Sequence, residues 1–174
     1  MVKRRNGREW ALQMLCQLDL NPEFQNEIPE EALHAFWKLV KGEESRALEE
    51  QEYGIIPLLT SDEKYDIRAL PRIRAFAEER IRGVWESVAE IDSTIEPYLE
   101  NWSFYRLGTV ERNAIRLAVW EMLNASDIPH PIIINEAVDI TKYYSSTQSS
   151  RFVNGVLDRF SKSLLEKQSA PESK

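Results

Sequence analysis

The sequence predicts an all-α protein of about seven helices, and three observations predict it. Apolar residues recur at steps of three and four along most of the chain. One short segment, Ile132-Ile133-Ile134, favours strand, and no partner strand accompanies it. The six glycines and eight prolines are too few for a low-complexity or disordered chain of 174 residues. Hydrophobic residues at 43%, with five Trp, six Tyr and six Phe, supply enough bulk for a sizeable core.

Residues 1–6 are expected to form a flexible basic arm. From Arg8, the spacing of Ala11, Met14, Leu15 and Leu18 predicts an amphipathic helix that Asn21-Pro22 stops. A second helix is predicted from about Pro29, with Glu30 and Glu31 in its first turn and Leu33, Phe36, Trp37 and Val40 on its apolar face; Gly42 suits its C-terminal cap. Residues 43–68 open with Glu43, Glu44, Glu49, Glu50 and Glu52 and continue through Gly54, Pro57 and Thr60-Ser61-Asp62, which reads as an acidic exposed loop or insertion.

From Leu70 the pattern Ile73, Ala77, Ile81, Val84, Val88, Ile91, Ile95 predicts a long helix. Pro97 should break it near Asp92–Ile95. Trp102, Phe104 and Leu107 then fill a turn closed by Gly108. Thr109 is the expected N-cap of a central helix through Ile115, Leu117, Ala118, Val119, Met122 and Leu123. Ile128-Pro129-His130-Pro131 ends that helix, and Ile132–Ile134 reads as an extended linker before a helix capped by Asn135. A last helix carries Phe152, Val153, Val156, Leu157, Phe160 and Leu164, and the tail over 167–174 should be frayed.

Charge and chemistry narrow the function. The net charge of −7 argues against non-specific nucleic-acid binding, yet Lys3, Arg4, Arg5 and Arg8 all precede the first acid, Glu9. An arginine fork donates two hydrogen bonds to phosphate at once, and the helix behind the arm directs its positive end to the same place. The alternative for such a terminus is simple solubilisation. With one cysteine, Cys16, no intrachain disulfide can form; buried among leucines, the thiol is expected to be inert. His34 and His130 lie far apart in sequence, so no Cys/His metal site and no catalytic constellation are expected, and no phosphate-cradling glycine loop is present. The start lacks a signal-peptide stretch, and no run approaches a membrane span; a cytoplasmic location is expected. Gly155, inside the last predicted helix, costs about 1 kcal/mol relative to alanine, which calls for close helix packing or close approach of a ligand.

Read in order, the motifs resemble the NusB family of transcription antitermination factors: Arg4-Arg5…Arg8-Glu9…Ala11-Leu12-Gln13, Ile91-Asp92…Ile95…Leu99…Asn101-Trp102, Val110-Glu111-Arg112…Ile115…Leu117 with Glu121, Ile128-Pro129, Ile134-Asn135-Glu136-Ala137-Val138 with Lys142, and Phe152-Val153-Asn154-Gly155-Val156-Leu157-Asp158. The resemblance covers most of the chain outside about 43–68. It implies two small helical bundles packed as one RNA-binding domain over 1–174, no cofactor and no catalysis. It also implies binding of boxA-type single-stranded RNA together with NusE, a small-subunit ribosomal protein, within the transcription elongation complex during ribosomal RNA synthesis.

Carried over by position, Lys3, Arg4, Arg5, Arg8, Gln13, Gln148, Arg151 and Asn154 are the expected RNA-binding residues, and Glu111 and Arg112 the expected partner-binding ones. Two departures bear on affinity: Cys16 replaces an aromatic, and Gln148-Ser149 occupy an acidic position, so phosphate should be repelled less there. Two other readings stay open, a NusB-like module of a ribosomal RNA cytosine methyltransferase and a purely structural helical homodimer.

Overall fold

In the computed structural model, which describes residues 4–24, 27–49, 70–99 and 103–169, seven α-helices account for nearly all regular structure. They are α1 (Arg4–Asp19), α2 (Glu30–Glu49), α3 (Leu70–Glu86), α4 (Val88–Ile95), α5 (Thr109–Asn124), α6 (His130–Tyr144) and α7 (Thr147–Ser169), with short 3-10 turns at Pro22–Phe24, Glu96–Tyr98 and Phe104–Arg106. No strand occurs among the described residues. The chain divides into two compact units, Met1–Glu86 and Ser87–Lys174.

In the first unit, α1 packs along α3. Leu12, Met14, Leu15 and Leu18 are fully buried, as are Ile73, Ala77, Ile81 and Val84, so the spacing read from the sequence maps onto the core. Gly7 allows this contact. A methyl group on its Cα would lie 2.5 Å from Phe76 Cδ1 and 3.3 Å from the Ile73 carbonyl oxygen, so the helices meet where α1 has no side chain. Trp10 and Trp37 meet edge to face at 5.8 Å, and Trp85 Nε1 donates to the Phe24 carbonyl at 2.8 Å, tying the 3-10 turn to the end of α3. Cys16 is half-buried rather than fully buried.

In the second unit, α5 contacts α4, α6 and α7 and is the central helix. Its buried Arg116 makes a two-pronged ion pair with Asp92 of α4, both bonds 2.7 Å, and a third bond to Asn113 Oδ1 at 3.1 Å. The guanidinium also sits 5.2 Å from the centre of the Phe104 ring. The planar fork matches the carboxylate, and every bond is made inside the protein where it is strong.

Several boundaries differ from expectation. Residues 4–6 belong to α1 and are not an arm; residues 1–3 lie outside the described residues. Helix α2 continues through Gly42 to Glu49, so the first part of the expected acidic loop is helical and the rest lies outside the described residues. Good helix formers such as Glu, Arg, Ala and Leu at 43–49 outweigh one glycine. The long helix expected from Leu70 to about Ile95 is interrupted at Ser87 (φ −108°, ψ 14°), and a second break follows at Glu96 before Pro97.

Gly108, not Thr109, precedes the first helical residue of α5. Ile132–Ile134 are not an extended linker, and Asn135 is not a cap: α6 starts at His130, with Pro131 in its first turn. Proline there needs no amide partner and presets a helical φ, while burial of Ile133 and Ile134 outweighs their strand propensity. At the far end, 167–169 are helical and 170–174 lie outside the described residues.

Candidate nucleic-acid interface

The first turn of α1 contains no acid, so Arg4 and Arg5 stand at its positive end among amide groups that have no helical partner. Phe76 of α3 organises the surrounding cations. Arg80 stacks on its ring at 3.2 Å and donates Nη1 to the Phe76 carbonyl and to Glu79 Oε2, both at 3.0 Å. Arg8 and Arg4 approach the same ring at 5.5 and 5.9 Å. A ring face carries partial negative charge, so it can hold several guanidiniums that would otherwise repel one another.

Exposure separates these arginines. Arg4 is exposed, Arg5 is half-buried, and Arg8 is only 4% exposed. Arg8 therefore shapes the first unit from within, whereas Arg4 presents its charge outward. Close by in sequence, Asn6 is fully buried, and neither of its side-chain polar atoms has a hydrogen-bond partner among the described residues. Gln13, two turns further on, is half-buried, and Lys3 lies outside the described residues.

Phe76 and Arg80 were missed by sequence reasoning. A signal existed: Arg72, Arg74, Arg80 and Arg82 crowd one helix. It was masked by Glu78, Glu79 and Glu86, two of which are ordinary ion-pair partners, as in Arg74–Glu78 at 2.9 Å and Arg80–Glu79 at 3.0 Å.

In the second unit, Gln148, Arg151 and Asn154 share α7. Gln148 and Arg151 are exposed; Asn154 donates Nδ2 to Asp158 Oδ2 at 2.9 Å, so its amide already has an intrachain acceptor. The start of α7 is ordered by serines: Ser146 Oγ accepts from the Ser149 backbone N–H at 3.0 Å, and Ser145 Oγ donates to Glu111 Oε1 at 2.6 Å. Burial opposes the charge on Glu111. Even so, the hydrogen bonds from Ser145, Ser149 and its own backbone N–H hold its carboxyl below the ordinary value of 4.5. Arg112 donates to the carbonyls of Leu107 at 3.0 Å and Tyr105 at 3.4 Å, closing the turn before α5. Glu111 and Arg112 thus have structural work beside any partner role.

Among the described residues, no group of three or more His, Cys, Asp and Glu side chains is placed to hold a metal ion, and no helix is long and apolar enough to cross a membrane.

A model of the NusB family matches residues 57–162. The transcription antitermination protein NusB of Thermodesulfovibrio yellowstonii is 34% identical over 165 residues, covering 92% of this chain and 93% of that protein. The structure of T. maritima NusB matches with a TM-score of 0.63 at 34% identity, over 91% of this chain and 90% of that one. A crystal structure of antitermination factors NusB and NusE in complex with dsRNA matches with a TM-score of 0.65 at 27% identity, over 94% and 99% of the two chains.

Proposed function

We propose, from the premise that this chain belongs to the NusB family, that it is a transcription antitermination factor that binds boxA-type RNA together with NusE and supports ribosomal RNA transcription. It acts without catalysis, in the cytoplasm, as an adaptor between RNA and protein. The observation that carries the RNA side is the exposed Arg4 and half-buried Arg5 at the positive end of α1, with Arg8 and Arg80 buried behind them around Phe76, in a chain that is acidic overall. A concentrated cationic site on an acidic protein favours specific over general RNA binding, because the rest of the surface repels phosphate. Relatives matched over nearly their whole length are antitermination proteins, which favours this reading over a methyltransferase module.

RNA contact by Lys3, Arg4, Arg5, Gln13, Gln148, Arg151 and Asn154, with the buried Arg8 supporting the site from beneath, and NusE contact by Glu111 and Arg112, belong to the same proposal. Titrating boxA-like RNA and a scrambled control, with and without NusE, tests it. The boxA-like RNA should bind more tightly, and more tightly still with NusE. Equal affinity for the scrambled RNA would remove the specific reading. For the protein side, Glu111→Lys should lower co-purification with NusE, while Glu111→Gln, which still accepts from Ser145, separates charge from local structure. Full NusE binding by both variants would place the partner surface elsewhere.

A further inference from the structure

The first turn of α1 is helical against its local chemistry. Arg4-Arg5-Asn6-Gly7 puts two cations at the positive end of a helix, with no acid in that turn, and follows them with two poor helix formers. Such a start frays when nothing ties it down. Yet residues 4–7 are helical, and Asn6 and Gly7 are buried.

Contacts on α3 supply the difference. Gly7 lies against Phe76, so closely that a methyl group on its Cα would be 2.5 Å from Cδ1. Arg4 and Arg8, one turn apart, approach the same ring at 5.9 and 5.5 Å. Arg80, one turn further along α3, braces the ring: it stacks on it at 3.2 Å and is itself anchored to the Phe76 carbonyl at 3.0 Å. Phe76 is only half-buried, while Ile73, Ala77 and Ile81 carry the core side of α3. The ring therefore serves the start of α1 more than the core.

We propose that Phe76 is a positioning residue for RNA binding: its ring holds the first turn of α1 helical, so that Arg4 and Arg5 meet phosphate from a fixed frame. As a flexible arm, residues 4–7 would lose their backbone freedom on binding. Held on the ring, they lose it during folding, and the complex with RNA is tighter by that difference. The helical turn also keeps the unpartnered amides of the helix start beside both guanidiniums, which a frayed arm does not. The proposal rests on the RNA-binding reading above and adds a residue that acts through Arg4 and Arg5.

The test is Phe76→Leu in the full chain, read by titration of boxA-like RNA with NusE and by amide hydrogen exchange. Leucine keeps apolar bulk and removes the ring face. RNA binding should weaken about tenfold. The amides of Arg8 and Glu9, whose helical acceptors are the carbonyls of Arg4 and Arg5, should exchange about tenfold faster. Phe76→Tyr, which keeps the ring, should restore both, and NusE binding without RNA should not change. Because Phe76 acts through the arginines, Phe76→Leu should have no further effect on RNA affinity once Arg4→Ala and Arg5→Ala are present. An equal loss in that background overturns the proposal, as does native RNA affinity in Phe76→Leu. Arg80→Met, which leaves the ring without its brace, should move both readouts the same way by less, and it replaces Phe76→Leu if that variant also loses NusE. If Arg4→Ala with Arg5→Ala loses RNA and Phe76→Leu does not, only this proposal fails. If the native chain binds no RNA, the functional reading fails and this proposal with it.

Discussion

Replacing Gly7 with alanine forces a methyl group to within 2.5 Å of Phe76 Cδ1 and 3.3 Å of a backbone oxygen. Overpacking of this kind costs about 1–3 kcal/mol, against about 1 kcal/mol gained from helix propensity. Gly7→Ala should therefore lower the urea midpoint. Arg116 offers a larger effect. Removing one member of a buried ion pair leaves the other charged and without compensation, so Arg116→Ala should cost about 3–5 kcal/mol in chemical denaturation.

Glu111 makes a pH prediction. Its folded carboxyl is held below the ordinary value, so its stabilising contribution is present above pH 4.5 and is lost as pH falls through the folded value. Glu111→Gln should flatten the stability profile on that acid limb and leave its shape near neutrality unchanged. At this scale the sequence displayed Arg8 and Glu111 as charges, but not that Arg8 is packed under its neighbours or that Glu111 is bound by serines. Those facts depend on which helix comes to lie beside which, and no local pattern encodes that.

Periodicity located α1, α2, α5 and α7 and ran α3 and α4 together as one, because an apolar stripe at 3.6 residues survives most details of packing. Helix ends were less legible. Ile132–Ile134 looked extended by propensity, yet a proline-set first turn and two buried isoleucines make it helical. Asn135 is consequently an exposed residue inside α6, and Asn135→Ala should change stability by less than about 0.5 kcal/mol. Loss of a true cap would cost about 1 kcal/mol. Trp85→Phe should cost about 1–2 kcal/mol, because it removes the donor that the Phe24 carbonyl uses. The break at Ser87 left no mark in the sequence: the apolar steps continue through it, since both α3 and α4 need a buried face on either side of the turn.

Across the whole molecule, an acidic chain that binds RNA must do so through few, concentrated contacts. If three or four phosphates are neutralised, log affinity should fall with log salt at a slope of roughly −2 to −3, and replacing Arg4 and Arg5 should flatten it by about 1.4. An unchanged slope would move the electrostatic site away from α1. The resemblance carried by short motifs identified the family, because their order reports common descent even where each piece is weak. It did not identify Phe76 and Arg80, which gain their meaning only from what α1 brings to them. The contact between Gly7 and Phe76 also has a bearing on descent. A methyl group at position 7 is harmful while the ring is in place; a small residue at 76 would leave only the 3.3 Å approach to the Ile73 carbonyl oxygen, so the two sites do not drift independently. In a lineage, a side chain at position 7 is gained at least cost after the change at 76, and a return to phenylalanine then carries the clash with it.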